Sequence, residues 1–296
     1  MSAIAPSLDK PARLSRWQTW ARSKDLLYRH PTAVIGGVVL VLLILMALLA
    51  PYLGTVDPQA ISPVRRLRKP SQTYWFGTDM LGRDVYSRVL FGARISLAVG
   101  LSVAILATTI GLAIGLITGF VRWLDAVVMR VMDGLMSIPG VLLAIALMAL
   151  TKASLENVII AITVTEVPRV VRLIRGLVLS LREQAYVDAA IASGTRTPLI
   201  LLRHILPNTM APLLVQGTYI CASAMLTEAI LSFLGAGMPL NIPSWGNIMA
   251  EGRALFQLAN YLIFFPGIFL SLAVLSVNLL GDGMRDALDP RLARNM

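Results

Sequence analysis

YVDAAIASGTRTPLILLRHILPN, residues 186–208, is a polar stretch set between two strongly apolar ones. Asp188-Ala189-Ala190 favours helix, Gly194 breaks it, helix resumes from 199 to 202, and Pro207 is expected to stop it. Two short helices hinged at a glycine make a compact knob that a partner protein can grip.

The rest of the chain reads as membrane. Hydrophobic residues make up 56% and charged residues 14%, against about 45–50% and about 25% in soluble domains. Six stretches are long enough to cross roughly 30 Å of hydrocarbon: near 33–53, 95–120, 124–150, 155–177, 210–234 and 262–280. The first carries no charge and lies too far from the start for a cleavable leader. The expected fold is an all-α polytopic membrane protein of six transmembrane helices.

Basic residues orient it. Lys10, Arg13, Arg16, Arg22, Lys24 and Arg29 place the N-terminal tail in the cytoplasm, and six crossings return Arg285, Arg291 and Arg294 to the same side. Arg182, Arg196 and Arg203 put the polar knob inside too. Residues 54–94 argue back, being expected outside yet carrying Arg65, Arg66, Arg68, Lys69, Arg83, Arg88 and Arg94. The net charge of +10 fits this topology and anionic lipid; no basic-aromatic interleaving points to nucleic acid.

The organisation expected is a tail (1–30) with an amphipathic interfacial helix over 14–27 bearing Trp17 and Trp20; a first span (31–53); an outer loop and interfacial helix (54–94); a core of five spans (95–280) holding the knob's loop (183–208); and a C-terminal tail (281–296). In the outer loop Asp79 is expected to cap a helix, with Asp79–Arg83 and Asp84–Arg88 pairing one turn apart. Gly111, Gly115 and Gly119 line one face of the second span, where another helix backbone can approach closely. Pro139, Pro168, Pro212 and Pro266 interrupt later spans, and residues 235–260 are long enough to fold over the outer mouth.

Ionisable residues within spans are functional candidates. Arg130 and Asp133, three apart, are expected to neutralise each other or to serve gating. Glu166, Arg169, Arg172 and Arg175 recur every third residue; voltage-sensor helices share that spacing, but Glu166 pairs with the first arginine and the run leads into the cytoplasmic loop. Glu228 lacks a local partner, so a structural role competes with proton coupling. Cys221, the one cysteine, is expected to be a packing residue. No Gly-Lys-Ser/Thr phosphate loop, HExxH helix or G-x-S-x-G elbow is present, and no His/Cys/carboxylate cluster suggests a metal. The chain therefore carries no ATPase or hydrolase signature of its own.

The knob resembles the EAA loop of ABC-transporter permeases: Glu-Ala-Ala, three residues, Gly, nine residues, Ile-x-Leu-Pro. Asp188, Ala189, Ala190, Gly194, Leu206 and Pro207 fill matching positions; Asp188 stands for Glu and His204 for Ile. Three further stretches, FGTDMLGRDVYSR, LTEAILSFLGAGM and NLLGDGMRDALDPR, resemble the shorter, C-type subunit of the dipeptide/oligopeptide/nickel permease family. That resemblance implies a type I importer permease fold in the bacterial inner membrane. It also implies a homologous second permease, two ATPase subunits that bind ATP and Mg, and an extracytoplasmic substrate-binding protein. It implies a coupling role for the knob, with Gly194 supplying a positive φ. Met129, Met136, Met225 and Glu228, with Arg130 and Asp133, are candidates for the pathway. Nickel uptake by the same architecture and a stand-alone proton-coupled carrier using Glu166 or Glu228 are the alternatives.

Overall fold

The computed structural model describes residues 31–288. Among them helices dominate: α1 (Pro31–Leu49), α2 (Val85–Phe120), α3 (Arg122–Met136), α4 (Gly140–Ala149), α5 (Leu155–Arg182), α6 (Ala185–Ala192), α7 (Thr197–Phe233), α8 (Trp245–Gly252) and α9 (Tyr261–Leu288). The interfacial helix expected over 14–27 lies outside the described residues.

α1, α2, α7 and α9 are long and apolar enough to span a bilayer. α3 and α4 together form a fifth candidate, bent by 89° at Ser137–Pro139. The interruption expected at Pro139 within 124–150 is thus a full break into two helices. Pro139 has no N–H to continue the α3 ladder and instead opens α4, where Leu142 and Leu143 N–H donate to its carbonyl. α5 is long enough to cross but carries the charges already noted, so apolar length alone does not return six spans.

α2 is the axis of the bundle, with α5 along one side and α7 and α1 along others; α9 closes against α1, α7 and α8. The core divides into two clusters that share α2 and α7, one reaching α3–α6 and the other α1, α8 and α9. Around them Val38, Leu42, Leu45 and Leu48 of α1 stay exposed, as side chains facing acyl tails do.

α2 starts ten residues earlier than the expected second span, so the anticipated interfacial helix forms its first turns. Its cap is Asp84, whose side chain accepts from Ser87 N–H at 2.8 Å, rather than Asp79.

α2 and α5 meet through the glycines. A Cβ on Gly111, Gly115 or Gly119 would stand 2.5, 2.7 and 2.6 Å from the Cβ of Val170, Ile174 and Val178 respectively. Glycine at every fourth position lets two helix backbones approach where any larger residue would force them apart. Gly115→Ala is expected to destabilise by about 1–3 kcal/mol through overpacking. Gly134→Ala on α3, where a Cβ meets nothing within 4 Å, is expected to be neutral or mildly stabilising. Thermal unfolding of the detergent-solubilised protein compares the two.

Candidate functional site

The 186–208 segment is a helical elbow. α6 ends in a left-handed glycine cap: Gly194 has φ +77°, its N–H donates to Ile191 O at 2.9 Å, and Thr195 N–H donates to Ala190 O at 3.0 Å. This Schellman pairing satisfies the last carbonyls of α6 and turns the chain sharply. Pro198 then sits in the first turn of α7, where its missing N–H costs nothing.

The elbow is anchored on one side only. Val187, Ile200 and Ile205 are fully buried, whereas Ile191, Leu199 and Leu202 are 53%, 49% and 61% exposed. Asp188, Ala189 and Gly194 are exposed with them, and Ala190 is half-buried. A Cβ on Gly194 would meet nothing within 4 Å. Asp188 lies in the first turn of α6, where the helix dipole favours a carboxylate. The outer side of the elbow is therefore a small apolar-tipped surface without a partner among the described residues.

Pro207 does not stop the helix. A π turn over Leu201–Ile205, closed by Leu206 N–H donating to Leu201 O, carries α7 through it; the wider winding re-registers the hydrogen bonds ahead of the proline. His204 is half-buried beside Tyr186, ring centroids 6.3 Å apart, and its carbonyl accepts from Asn208 Nδ2 at 2.7 Å. Leu206 is half-buried and Pro207 exposed.

The elbow is tied to the bundle by Arg182, at the end of α5. Its Nη1 donates to the Gly119 and Phe120 carbonyls at 3.2 and 3.3 Å, and its guanidinium lies 4.9 Å from the Phe120 ring centroid. One side chain thus caps α2 and fixes the root of α6. Sequence reading gave Arg182 a topological role only; nothing local signals a contact with a helix end so distant along the chain.

The membrane charges pair differently from expectation. Asp133 accepts from Arg172 Nη2 at 2.6 Å rather than from Arg130, and Asp125 binds Arg175 through both carboxylate oxygens. α3 is therefore strapped to α5 by two ion pairs, and Met132 is its one buried residue. Interhelix packing brings the α5 guanidiniums to these carboxylates, and Arg130 is left exposed on the same helix. Glu166 does meet Arg169, at 3.1 Å, and also accepts from Ser223 Oγ of α7 at 3.1 Å.

Glu228 is fully buried: Oε1 accepts from Ser232 and Ser244 hydroxyls, each at 2.9 Å, joining α7 to the segment before α8. Of the methionines, Met225 is fully buried in the core, Met129 is half-buried and Met136 is exposed beside the α3–α4 break. The structure does not bring these candidates into one site.

The expected Asp79–Arg83 pair forms, within a larger buried ionic cluster whose other members, Arg88 and Glu251, sequence spacing did not indicate. Asp79 Oδ2 accepts from Arg83 Nε at 2.6 Å and Arg88 Nη1 at 2.7 Å, while both arginines also reach Glu251 at 2.6–2.9 Å. Arg88 pairs there instead of with Asp84. Two carboxylates balance two guanidiniums, so two of the basic residues in 54–94 carry no net charge into the loop. Arg94 is likewise engaged, capping the Ala47 and Leu48 carbonyls at the end of α1. The segment 235–260 does not merely cover the surface: Trp245 is fully buried and its Nε1 donates to Val89 O at 3.1 Å.

Residues 107–294 match the family described as binding-protein-dependent transport system inner membrane component, and residues 15–70 match the N-terminal TM domain of oligopeptide transport permease C. A probable peptide ABC transporter permease of Sinorhizobium fredii is 54% identical over 90% of this chain and 91% of its own. The dipeptide transport system permease of Alkalihalophilus pseudofirmus is 40% identical over 92% and 90%. The glutathione transport system permease of Pectobacterium atrosepticum is 38% identical over 99% and 97%. Among solved structures, an inward-facing conformation of the MetNI methionine ABC transporter superposes with a TM-score of 0.58 at 20% identity, covering 68% of this chain and 96% of that one; it is a likeness of fold.

Proposed function

This chain belongs to the family of binding-protein-dependent transport system inner membrane components, and from that premise we propose how it works. It is a multi-pass permease subunit of a peptide-importing ABC transporter. The observation that carries the reading is the glycine-capped elbow, anchored inside and apolar outside, within a chain whose relatives across nine-tenths of its length are peptide permeases.

The elbow is the seat of an ATPase subunit. ATP and Mg would be held by those subunits and would supply the energy of closure; a push on α6 and the start of α7 then passes through Arg182 to α2 and along α5 to the strapped α3. A homologous second permease supplies the other half of the pathway, and an extracytoplasmic binding protein delivers peptide to it. The knob and both termini then face the cytoplasm, as the basic tails favour.

Gentle detergent extraction of tagged protein from its own membranes, with mass spectrometry of what accompanies it, tests this. Recovery of a second permease and two Walker-containing ATPases is the expected result. Recovery of this chain alone, where those partners are expressed, would overturn the reading.

A further inference from the structure

α5 carries an exposed polar stripe at the depth where a bilayer tolerates it least. Arg169 lies midway between Glu156 and Arg182, the charged residues nearest the helix ends. At about 1.5 Å per residue, that places it near the centre of the roughly 30 Å hydrocarbon layer. Its side chain is nevertheless 56% exposed, and Arg172, one turn on, is 51% exposed with its partner Asp133 at 61%. Gly176 and Leu179 continue the same exposed face. A charged side chain at mid-bilayer is costly against lipid, so this face meets water or protein.

The two arginines differ in what they have left to offer. Arg172 already faces a half-open carboxylate at 2.6 Å. Arg169 spends one of its five N–H donors on Glu166, and among the described residues it makes no other side-chain hydrogen bond. Glu166 is itself buried and held by Ser223 of α7. The guanidinium is thus fixed in place from behind while its outer edge stays free. A planar fork of that kind fits a carboxylate through two parallel bonds.

We propose that Arg169 is a contact for the C-terminal carboxylate of a peptide in transit at mid-membrane. This deepens the importer reading and rests on it. Every peptide with a free terminus carries that group whatever its side chains, so one guanidinium serves a substrate class without selecting a sequence.

The experiment uses the assembled complex reconstituted in vesicles with a dipeptide. Arg169→Cys in a Cys221→Ala background, which removes this chain's one native thiol, is treated with a membrane-impermeant, negatively charged thiosulfonate, and labelling is read on this chain after its separation from its partners. Labelling is expected; an unreactive thiol means that lipid or the second permease covers this face, and overturns the proposal. Uptake at saturating binding protein then separates contact from charge balance. Arg169→Gln is expected to lower it about tenfold, and adding Glu166→Gln is expected not to restore it. Recovery in the double variant would show that Arg169 only neutralises Glu166, and unchanged uptake in the single variant would equally sink the contact. Failure of the importer reading is distinct, since the unaltered complex would then take up no peptide at all.

Discussion

Gly194→Arg is expected to leave the protein inserted in the membrane at normal level and to reduce peptide uptake to background. The φ of +77° at this position costs a side-chain-bearing residue about 1–2 kcal/mol, too little to unfold a domain. Nothing within 4 Å opposes a Cβ there and the position is exposed, so the arginine side chain starts into open space. It projects from the exposed apex of the elbow, where the ATPase subunit is proposed to sit. Gly194→Ala separates the two effects: it carries the same backbone strain without the bulk, and is expected to retain a large share of uptake. Co-purification of the ATPases should fall with the arginine and persist with the alanine. Normal uptake by Gly194→Arg would sink the coupling assignment of this loop.

Asp79→Ala is expected to be the most destabilising single change outside the apolar core. Asp79 is fully buried and accepts four hydrogen bonds, from Leu81 N–H, Arg83 N–H and the two guanidiniums. Its removal leaves Arg83 and Arg88, 5% and 1% exposed, sharing Glu251 alone. Breaking a buried ionic network from one side costs about 3–5 kcal/mol, because the orphaned charge stays desolvated. The cluster links the loop before α2 to α8 through Glu251, so the expected loss extends to the packing of α8. Asp57→Ala is the control: that carboxylate is exposed and accepts a hydrogen bond from Gln59 N–H, and its loss should stay within about 0.5 kcal/mol. Thermal unfolding of the solubilised protein and its accumulation in membranes measure both. Equal behaviour of the two variants would show that the cluster contributes no net stability.

The elbow was legible because its signals are local. A helix-favouring run, a glycine and a second helical run within twenty-odd residues define a turn whatever surrounds them, and the capping bonds at Gly194 join residues within five positions of each other. The small-residue period at 111, 115 and 119 was equally local, since it needs only the α-helical repeat to put three glycines on one face. Pro207 misled for the opposite reason. A proline forbids one hydrogen bond, but a π turn upstream re-registers the others, and that choice depends on the whole of α7 being held in the bundle.

The chain's composition and periodicity by themselves determined that it is a helical membrane protein, where its long apolar segments lie, and that its polar knob is a glycine-hinged pair of helices. These follow from the length of hydrocarbon a helix must cross and from backbone geometry within a few residues. The pairs one helical turn apart, Asp79–Arg83 and Glu166–Arg169, followed from spacing, but only the tertiary structure decided which charges meet across elements. Arg88 finds Glu251 across 163 positions and Arg172 finds Asp133 across 39, although closer carboxylates in sequence were available to each. An ion pair is settled by which helices the apolar packing brings together, and in a low-dielectric interior a guanidinium binds the carboxylate that packing presents to it.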